Sequence, residues 1–280
     1  MKYTPFSFIS KDGLTLQCRA WISHHNHAKG IIHLLHDLGE HSAHFSHVAE
    51  FFCENDYHFV ALDLRGHGLS DGRQGHSPGY THLMNDIEYF IRNSNEKLKL
   101  ANLPIILYGH GFGGNLVLNY ILRRQPHIAG VIATSPMLTP PFKISKLKAE
   151  ALKFLANIFP RHKFRNRMKS VNLSRDIAVV RAYSDDVYNH KYVTARLALE
   201  IFQSGKYAIA NAHQWDLPML LLHGTADRIC PPSASQIFAT KAGSIVDVVL
   251  LESFYHEIHN DLQNDFVIQK MIDWVGKEIQ

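Results

Sequence analysis

The sequence predicts an α/β fold: a mostly parallel central sheet, flanked by helices, with an inserted helical cap. With 280 residues, of which 46% are hydrophobic, the chain can bury a large core. Short apolar runs of strand length alternate with helix-like stretches. These runs are continuously apolar, which is typical of strands buried on both faces. A parallel sheet covered by helices is the simplest architecture with that property.

The predicted elements follow one another along most of the chain. Strands are predicted at residues 14–21, 31–35, 58–62, 105–108, 131–133, 219–222 and 246–251. Helices are predicted at 44–54, 80–98, 113–124, 233–241 and 264–279. The chain is also expected to form an antiparallel hairpin at one sheet edge. Its two strands are joined at Lys11-Asp12-Gly13, and the second of them is the strand 14–21.

The strand pattern is interrupted in the middle of the chain. Between residue 140 and about residue 214 no convincing strand is found, so residues 136–216 are predicted to form a helical cap. Residues 1–135 and 217–280 are then the two parts of the core domain. Ligands of such sheets gather at the carboxyl ends of the strands.

The cap contains a strongly basic stretch. Residues 141–170 carry nine Lys or Arg against Glu150 alone, a net charge of +8, and since the whole chain is +4 the remainder is −4. A helix from about 144 to 159 would place one apolar stripe opposite its polar residues. The stripe consists of Ile144, Leu147, Ala151, Phe154, Leu155 and Ile158, and the polar side of Lys146, Glu150, Lys153 and Asn157.

Two interpretations of this helix are equally open. It could lie on an anionic membrane surface, which makes residues 141–170 a candidate for peripheral membrane contact. It could instead pack its apolar stripe over the site and show its lysines to water. No nucleic-acid-binding motif is present, so no nucleic-acid partner is expected.

The sequence also indicates the cellular compartment of the protein. The first ten residues do not resemble a signal peptide, and no apolar stretch reaches the ~20 residues of a membrane span. Cys18, Cys53 and Cys230 are odd in number and lie in apolar surroundings, which indicates reduced core thiols. A cytoplasmic protein is predicted, with peripheral membrane association as the alternative.

The twenty histidines raise the question of a metal. Five of them cluster at positions 33, 36, 41, 44 and 47, but without the Cys or carboxylate partners at fixed spacing that a zinc site usually has. No metal and no cofactor are therefore predicted.

The most informative motif is Gly-His-Gly-Phe-Gly-Gly at 109–114, directly after an apolar strand. A G-x-S-x-G nucleophile elbow would place its serine at Gly111. The elbow is a strained turn that glycine tolerates, so the fold should survive the absence of serine. The oxygen that would form an acyl-enzyme is missing.

The other parts of a hydrolase site follow in the expected order. Asp227 stands in a loop after one predicted strand and His256 after the next. Asp227 would orient His256, and His256 would accept and return the proton. In the loop after strand 31–35, the backbone N–H of Leu38, together with that of Phe112, would face a developing oxyanion.

Together these segments resemble the monoacylglycerol lipase and lysophospholipase branch of the α/β-hydrolase superfamily. The resemblance rests on residues 36–41, 62–72, 109–114, 223–228 and 255–259, with weaker likeness at 173–176 and at Tyr183 in the cap. It implies the α/β-hydrolase fold and an esterase acting on a monoacyl lipid or another ester.

The resemblance also implies roles for single residues. Asp227 and His256 match the acid and base, and Leu38 and Phe112 match the oxyanion donors. Glu40 and His259 match polar contacts to a head group, whereas His44 stands where an arginine is often found.

Two departures from the family pattern matter most: Gly111 replaces serine, and Asp37 replaces a glycine. An inward carboxylate at Asp37 would oppose negative charge in the oxyanion hole, whereas an outward one would be harmless. The sequence leaves both orientations open.

Three explanations of Gly111 compete. It is an engineered change that traps substrate, a natural loss that leaves a binding protein, or a site where His256 activates water directly. The first two are held equal. Water attack is less favoured because it forfeits a positioned nucleophile.

The functional prediction is a carboxylic ester hydrolase that is inactive or nearly so, because Gly111 replaces its serine. The alternative is a non-catalytic protein that binds monoacyl lipids. A peptidase or an epoxide hydrolase on the same fold ranks lower, and the latter would require an aspartate at position 111.

Overall fold

The computed structural model describes residues 1–24, 28–100, 102–166 and 168–279. Its strands are β1 (Lys2–Tyr3), β2 (Phe6–Ile9), β3 (Thr15–Ile22), β4 (Gly30–Leu35), β5 (Tyr57–Leu62), β6 (Ile105–His110), β7 (Gly130–Thr134), β8 (Lys163–Arg165), β9 (Tyr192–Thr194), β10 (Met219–Gly224) and β11 (Val246–Leu251). Its α-helices are α1 (Ser46–Glu54), α2 (Tyr80–Leu98), α3 (Phe112–Arg124), α4 (Lys146–Ile158), α5 (Ile177–Asp185), α6 (Ala195–Asn211), α7 (Pro232–Ala242) and α8 (Asn264–Glu278).

Within the described residues, nine strands form the large sheet. Its order is β1-β3-β5-β4-β6-β7-β10-β11, with β2 paired to β3 outside this path. Every pair from β5 through β4, β6, β7 and β10 to β11 is parallel, and only the pairs that involve β3 are antiparallel. The predicted fold class and the edge hairpin between β2 and β3 are confirmed.

The sheet is covered on both faces, as its apolar strands require. Side chains from α2, α3 and α7 pack on one face, for example Phe90, Leu116 and Phe238. Those of α1 and α8 pack on the other, for example Phe52 and Met271. In β4, β5, β6, β7 and β10, all residues except Ile105 are buried, which explains why their sequences are apolar without alternation.

The expectation of a strand-free segment between 140 and 214 is wrong. β8 and β9 form a small antiparallel sheet there, with Phe164 opposite Val193. Each strand has only three residues and is rich in charged and polar side chains, so no apolar run marks it. The boundaries 136 and 216 of the cap stay a prediction. Arg167, one of its basic residues, lies outside the described part of the chain.

The helix predicted in the cap exists, but it presents a different face to the protein. Along α4 the side chains of Leu152, Leu155 and Ala156 pack against the start of α6. Leu147 is 82% exposed and Phe154 is 65% exposed, although both belong to the predicted apolar stripe. The helix therefore carries an apolar surface that faces away from the protein.

Gly113, in the first turn of α3, allows that helix to approach β4 closely. A Cβ atom at this position would overlap the backbone carbonyl of Leu35, which cannot move away as a flexible side chain could. We expect Gly113→Ala to lower the free energy of unfolding by about 2 kcal/mol or more. Urea denaturation would measure the change.

Gly276 in α8 provides the matched control. Its nearest atom for an added Cβ is the Tyr57 hydroxyl at 3.7 Å, an ordinary contact distance. Gly276→Ala should stabilise the protein by about 0.5–1 kcal/mol, because alanine loses less backbone entropy in a helix. Equal stability of the two variants would contradict the close packing of α3 on β4.

Candidate active site

The carboxyl ends of β4, β6, β7, β10 and β11 lie along one rim of the parallel sheet. At the end of β6 the chain turns sharply into α3 through Gly111. This residue has φ 54° and ψ −114°, a conformation that residues with side chains rarely adopt. Its N–H donates to the Thr134 carbonyl of β7 at 3.0 Å. The bend thus has the strained geometry expected of a nucleophile elbow.

The structure brings Asp227 and His256 together at this bend. Asp227 lies beyond β10, and its Oδ2 atom is 2.7 Å from Nδ1 of His256. The N–H groups of Ile229 and Cys230 donate to Oδ1 of Asp227 and hold the carboxylate in place. His256 is fully buried.

Asp37 points inward and fills the space directly above Gly111. Its Oδ1 accepts the N–H of Phe112, one of the two predicted oxyanion donors, and its Oδ2 lies 3.2 Å from Nε2 of His256. A Cβ atom at Gly111 would overlap the Asp37 carboxyl group. Leu38, which carries the other predicted donor, follows in the same buried loop. A carboxylate therefore stands where a serine side chain would extend.

The charges of this trio are set by one another. Burial alone would lower the pKa of His256, but the charges and hydrogen bonds of Asp227 and Asp37 outweigh it and hold that pKa well above its ordinary value. Burial opposes ionisation of Asp37, yet the hydrogen bond and charge of His256 lower the pKa of Asp37 overall. The pKa of Asp227 is likewise lowered, mainly by the charge of His256 against the effect of burial.

The imidazole of His256 is consequently a cation between two carboxylates. Both of its ring nitrogens face a carboxylate oxygen, so it has no free lone pair for a water proton. This arrangement argues against direct activation of water by His256.

The sequence prediction missed His110, the residue before Gly111. It is fully buried, and its ring centroid lies 4.8 Å from that of His256. Its Nδ1 is 2.9 Å from the Thr134 hydroxyl, while its Nε2 has no hydrogen-bond partner among the residues that the structure describes. The position inside the elbow motif was the signal that could have identified it.

Glu40 serves the backbone of its own loop. Its Oε1 accepts the N–H of Asp37 at 2.6 Å. Burial, and then the charge of Glu257, raise the pKa of Glu40 well above its ordinary value. Glu257 itself was not predicted at the site, and burial raises its pKa to about 7. Two buried carboxyl groups therefore lie near Asp37.

The remaining predicted head-group residues have partners of different kinds. Nε2 of His44 lies 3.3 Å from Oδ2 of Asp186, and Nε2 of His41 lies 2.9 Å from the same atom. His259 is buried and stacks on Phe45, with ring centroids 4.4 Å apart. His44 thus contacts the segment that follows α5, whereas His259 packs against an aromatic ring.

The loop that carries Asp37 is tied to the segment after α5. The N–H of His190 donates to the carbonyl of Gly39 at 2.8 Å. The contact between His41 and Asp186 joins the same two segments. The positions of this loop and of residues 186–190 are therefore linked.

The glycine-rich loop after β5 braces the site. Asp63 at its start accepts the N–H groups of Ser42 and Leu69, both at 2.9 Å. Its carboxylate also pairs with Arg19 at 2.8 Å. These bonds connect the loop to the start of the 3-10 helix Ser42–Phe45 and to β3.

The ion pair between Asp37 and His256 should make stability depend on pH. His256 has a raised pKa, so its contribution is complete below its ordinary pKa of 6.5 and is lost as pH rises through the folded-state value. Asp37 has a lowered pKa, so its contribution is present above its ordinary pKa of 3.8 and is lost in acid. We expect Asp37→Asn to cost about 2 kcal/mol in this window and less at higher pH.

Urea denaturation at a series of pH values would measure this cost, and NMR titration would report the imidazole of His256. The pKa of His256 should fall in the Asp37→Asn variant, because one of its two negative partners is gone. A destabilisation that does not vary between pH 5 and pH 10 would contradict the ion pair.

Comparison with known proteins agrees with the fold described above. The family model described as "Serine aminopeptidase, S33" matches residues 26–263. An uncharacterised abhydrolase domain-containing protein of Dictyostelium discoideum is 33% identical over 98% of the chain, which spans 29% of that protein. The monoacylglycerol lipase of Mycolicibacterium smegmatis is 26% identical over 96% of the chain and 95% of its own length.

A solved structure agrees with these relatives. The crystal structure of the Paleococcus ferrophilus monoacylglycerol lipase superposes with a TM-score of 0.83 at 27% identity, covering 99% of this chain and 100% of that one. The α/β-hydrolase fold is thereby confirmed. The chain belongs to the serine aminopeptidase S33 family and, within the α/β-hydrolase superfamily, to the monoacylglycerol lipase branch.

Proposed function

We propose that this chain has the active site of an ester hydrolase of the monoacylglycerol lipase type. We propose further that the site is catalytically inactive, because Gly111 stands in place of the nucleophilic serine. The observation that carries the proposal is the 2.7 Å contact between Asp227 and His256 beside the bend at Gly111. The acid Asp227 and the base His256 are in contact, but Gly111 supplies no nucleophilic hydroxyl. Asp37 occupies the place of that hydroxyl.

The substrate class is supported by relatives rather than by geometry. Proteins named monoacylglycerol lipase match nearly the whole chain, so a monoacyl lipid is the proposed ligand. The family description names aminopeptidases, which keeps a peptidase as a lower-ranked alternative.

The proposed roles describe the chemistry that a serine at position 111 would allow. Asp227 would orient His256 and stabilise its cation, and His256 would take the serine proton. The N–H groups of Leu38 and Phe112 would stabilise the oxyanion. In the present chain, Asp37 holds both the Phe112 N–H and Nε2 of His256. Its negative charge lies where negative charge would develop, which opposes acyl transfer.

Head-group contacts are proposed for Glu40, His44 and His259. Because Glu40 already accepts the N–H of Asp37, only its remaining lone pairs are open to a ligand hydroxyl. Burial lowers the pKa of His44 to about 4, so this residue offers no positive charge in place of the family arginine at neutral pH. Weak selectivity for the head group follows.

The fit between Gly111 and Asp37 bears on the origin of the glycine. A Cβ atom at position 111 would overlap the Asp37 carboxyl group in its present orientation, so a side chain there would force that group to move. Two matching departures favour a coupled loss of catalysis over a single change made to trap substrate. The second candidate function, non-catalytic binding of a monoacyl lipid, gains support from this match.

Restoring the nucleophile tests the proposal. Gly111→Ser alone should stay near background with p-nitrophenyl esters and with monoacylglycerol, because the Asp37 carboxylate, although it must shift to make room for the serine, keeps a negative charge beside the oxyanion hole. Gly111→Ser combined with Asp37→Gly should hydrolyse both at least about 100-fold faster than the single variant, the effect expected of one oxyanion donor. Steady-state kinetics and mass-spectrometric detection of the acyl-enzyme would measure this.

The matched control is Asp37→Gly alone, which frees the hole but adds no nucleophile and should remain inactive. The unmodified chain should bind monoacylglycerol non-covalently in native mass spectrometry without consuming it. A folded double variant without turnover would overturn the hydrolase proposal. Turnover by the unmodified chain would overturn the proposal that it is catalytically inactive.

We further propose that the protein is cytoplasmic and touches anionic membranes through its cap. Among the described helices, none has the length and hydropathy needed to cross a bilayer. The apolar cap surface consists of Phe142, Leu147, Phe154, Ile158 and Phe159, each more than half exposed. Exposed lysines border it at positions 143, 146, 148 and 153. This combination favours the membrane-surface interpretation of α4 over packing above the site.

Vesicle binding tests the apolar cap surface. We expect Leu147→Ser combined with Phe154→Ser to weaken binding to phosphatidylserine-containing vesicles at least about tenfold, because each buried apolar side chain contributes roughly 1.5–3 kcal/mol. Binding of the unmodified chain should fall with added salt, since the lysines contribute by charge. Flotation or sedimentation of vesicles would measure it.

Ile9→Ser is the matched control, because Ile9 is 59% exposed in β2, outside the cap. Its binding should equal that of the unmodified chain. Absence of binding to anionic vesicles at low salt would remove the membrane proposal.

A further inference from the structure

Asp37, His110 and His256 form a cluster that serine chemistry does not explain. One ligand atom from each residue lies within 4.8 Å of the others, and all three residues are buried. Serine chemistry accounts for His256 but requires neither a carboxylate at position 37 nor a ring nitrogen from position 110. These two groups call for a different explanation.

The hydrogen bonds of His110 show which of its nitrogens is free. The Thr134 hydroxyl donates to the Tyr108 hydroxyl at 3.4 Å and can therefore accept from Nδ1–H of His110 at 2.9 Å. In the tautomer that these contacts favour, the proton is on Nδ1 and Nε2 carries a lone pair. Among the described residues this lone pair has no hydrogen-bond donor.

The other two groups have matching geometry. Oδ2 of Asp37 and Nε2 of His256 are 3.2 Å apart. Two ligands bound to one tetrahedral zinc at about 2.0–2.1 Å lie about 3.3 Å from each other. A metal ion could thus replace the proton that these two atoms share. Nε2 of His110 would have to approach both atoms to complete the set.

Each of the three groups is also held from behind. Nδ1 of His256 donates to Asp227, Nδ1 of His110 to Thr134, and Oδ1 of Asp37 accepts the N–H of Phe112. Metal-binding histidines typically donate their second N–H to a carboxylate or another acceptor in this way. The absence of a side chain at Gly111 leaves room for the carboxylate among the rings.

We infer that Oδ2 of Asp37, Nε2 of His110 and Nε2 of His256 form a binding site for a divalent transition metal, with Zn²⁺ as the best match. Two imidazoles and one carboxylate are a ligand set that zinc accepts, with water as the fourth ligand. The inference goes beyond the proposed function. It departs from the sequence-based expectation of no metal, which weighed all twenty histidines and above all the five at positions 33, 36, 41, 44 and 47.

A second cluster, His41, His44 and Asp186, lies close enough to hold an ion as well. In this cluster Nδ1 of His41 accepts the N–H of Ala43, so its Nε2 carries the proton and donates to Asp186. That nitrogen has no lone pair to offer. A metal there would require His41 to give up its hydrogen bond with Ala43, so the second cluster is the weaker candidate.

Metal titration of the full chain tests the inference without any substrate. After dialysis against a chelator, Zn²⁺ should bind at one equivalent per chain in competition with a chromophoric chelator. Co²⁺ in its place should give the visible absorption of a four-coordinate ion. Asp37→Gly and His110→Phe should each weaken Zn²⁺ binding at least about 100-fold, and Thr134→Val, which removes the acceptor behind His110, about tenfold.

His213→Asn, at an exposed histidine of the 3-10 helix Ala212–Gln214 outside both clusters, is the control and should leave the affinity unchanged. Circular dichroism of each variant would verify that it is folded. The inference is overturned if no equivalent of Zn²⁺ binds, or if binding persists in the folded Asp37→Gly and His110→Phe variants. It is equally overturned if binding is lost in His213→Asn. Because no ester is present, its failure would leave the hydrolase proposal standing.

Discussion

The position of the Asp37 carboxylate above Gly111 determines the character of the whole site. The carboxylate can take this orientation because residue 111 has no side chain, since a Cβ atom there would overlap the carboxyl group and force it to move. Once there, the carboxylate accepts the Phe112 N–H and holds His256 as a cation between two negative partners. Oxyanion hole, base and nucleophile position are thereby occupied by a single residue of the loop after β4. The same contact makes both the loss of serine chemistry and the cluster with His110 understandable.

Much of the fold could be predicted from the sequence, because burial on both faces leaves continuous apolar strands. β4 to β7, β10 and β11 fall within one or two residues of their predicted positions at each end. β8 and β9 could not be predicted, since a strand of only three residues gives no periodic signal. On α4 the sequence offers more than one apolar stripe. Which of them is buried depends on the partner surface of α6, a contact between distant parts of the chain.

The candidate site shows the same division. Motif order was enough to place Asp227 and His256 at one rim, because parallel strands end on the same side of a sheet. The orientation of Asp37 was beyond the sequence, as it depends on a partner 219 residues away and on the space left at Gly111. His110 and Glu257 were overlooked for a related reason. Each stands beside a motif residue, and only the folded chain shows that its side chain is buried near the centre of the site.

The two contacts between the loop after β4 and residues 186–190 have a mechanical consequence. The chain from Gly39 to His41 is fastened to the segment that follows α5 by a backbone hydrogen bond and by the Asp186 carboxylate. If docking on a bilayer lifted that segment, these bonds would pull on the loop only two residues from Asp37. A displacement at the outer surface of the protein would then be transmitted to the carboxylate at the centre of the site.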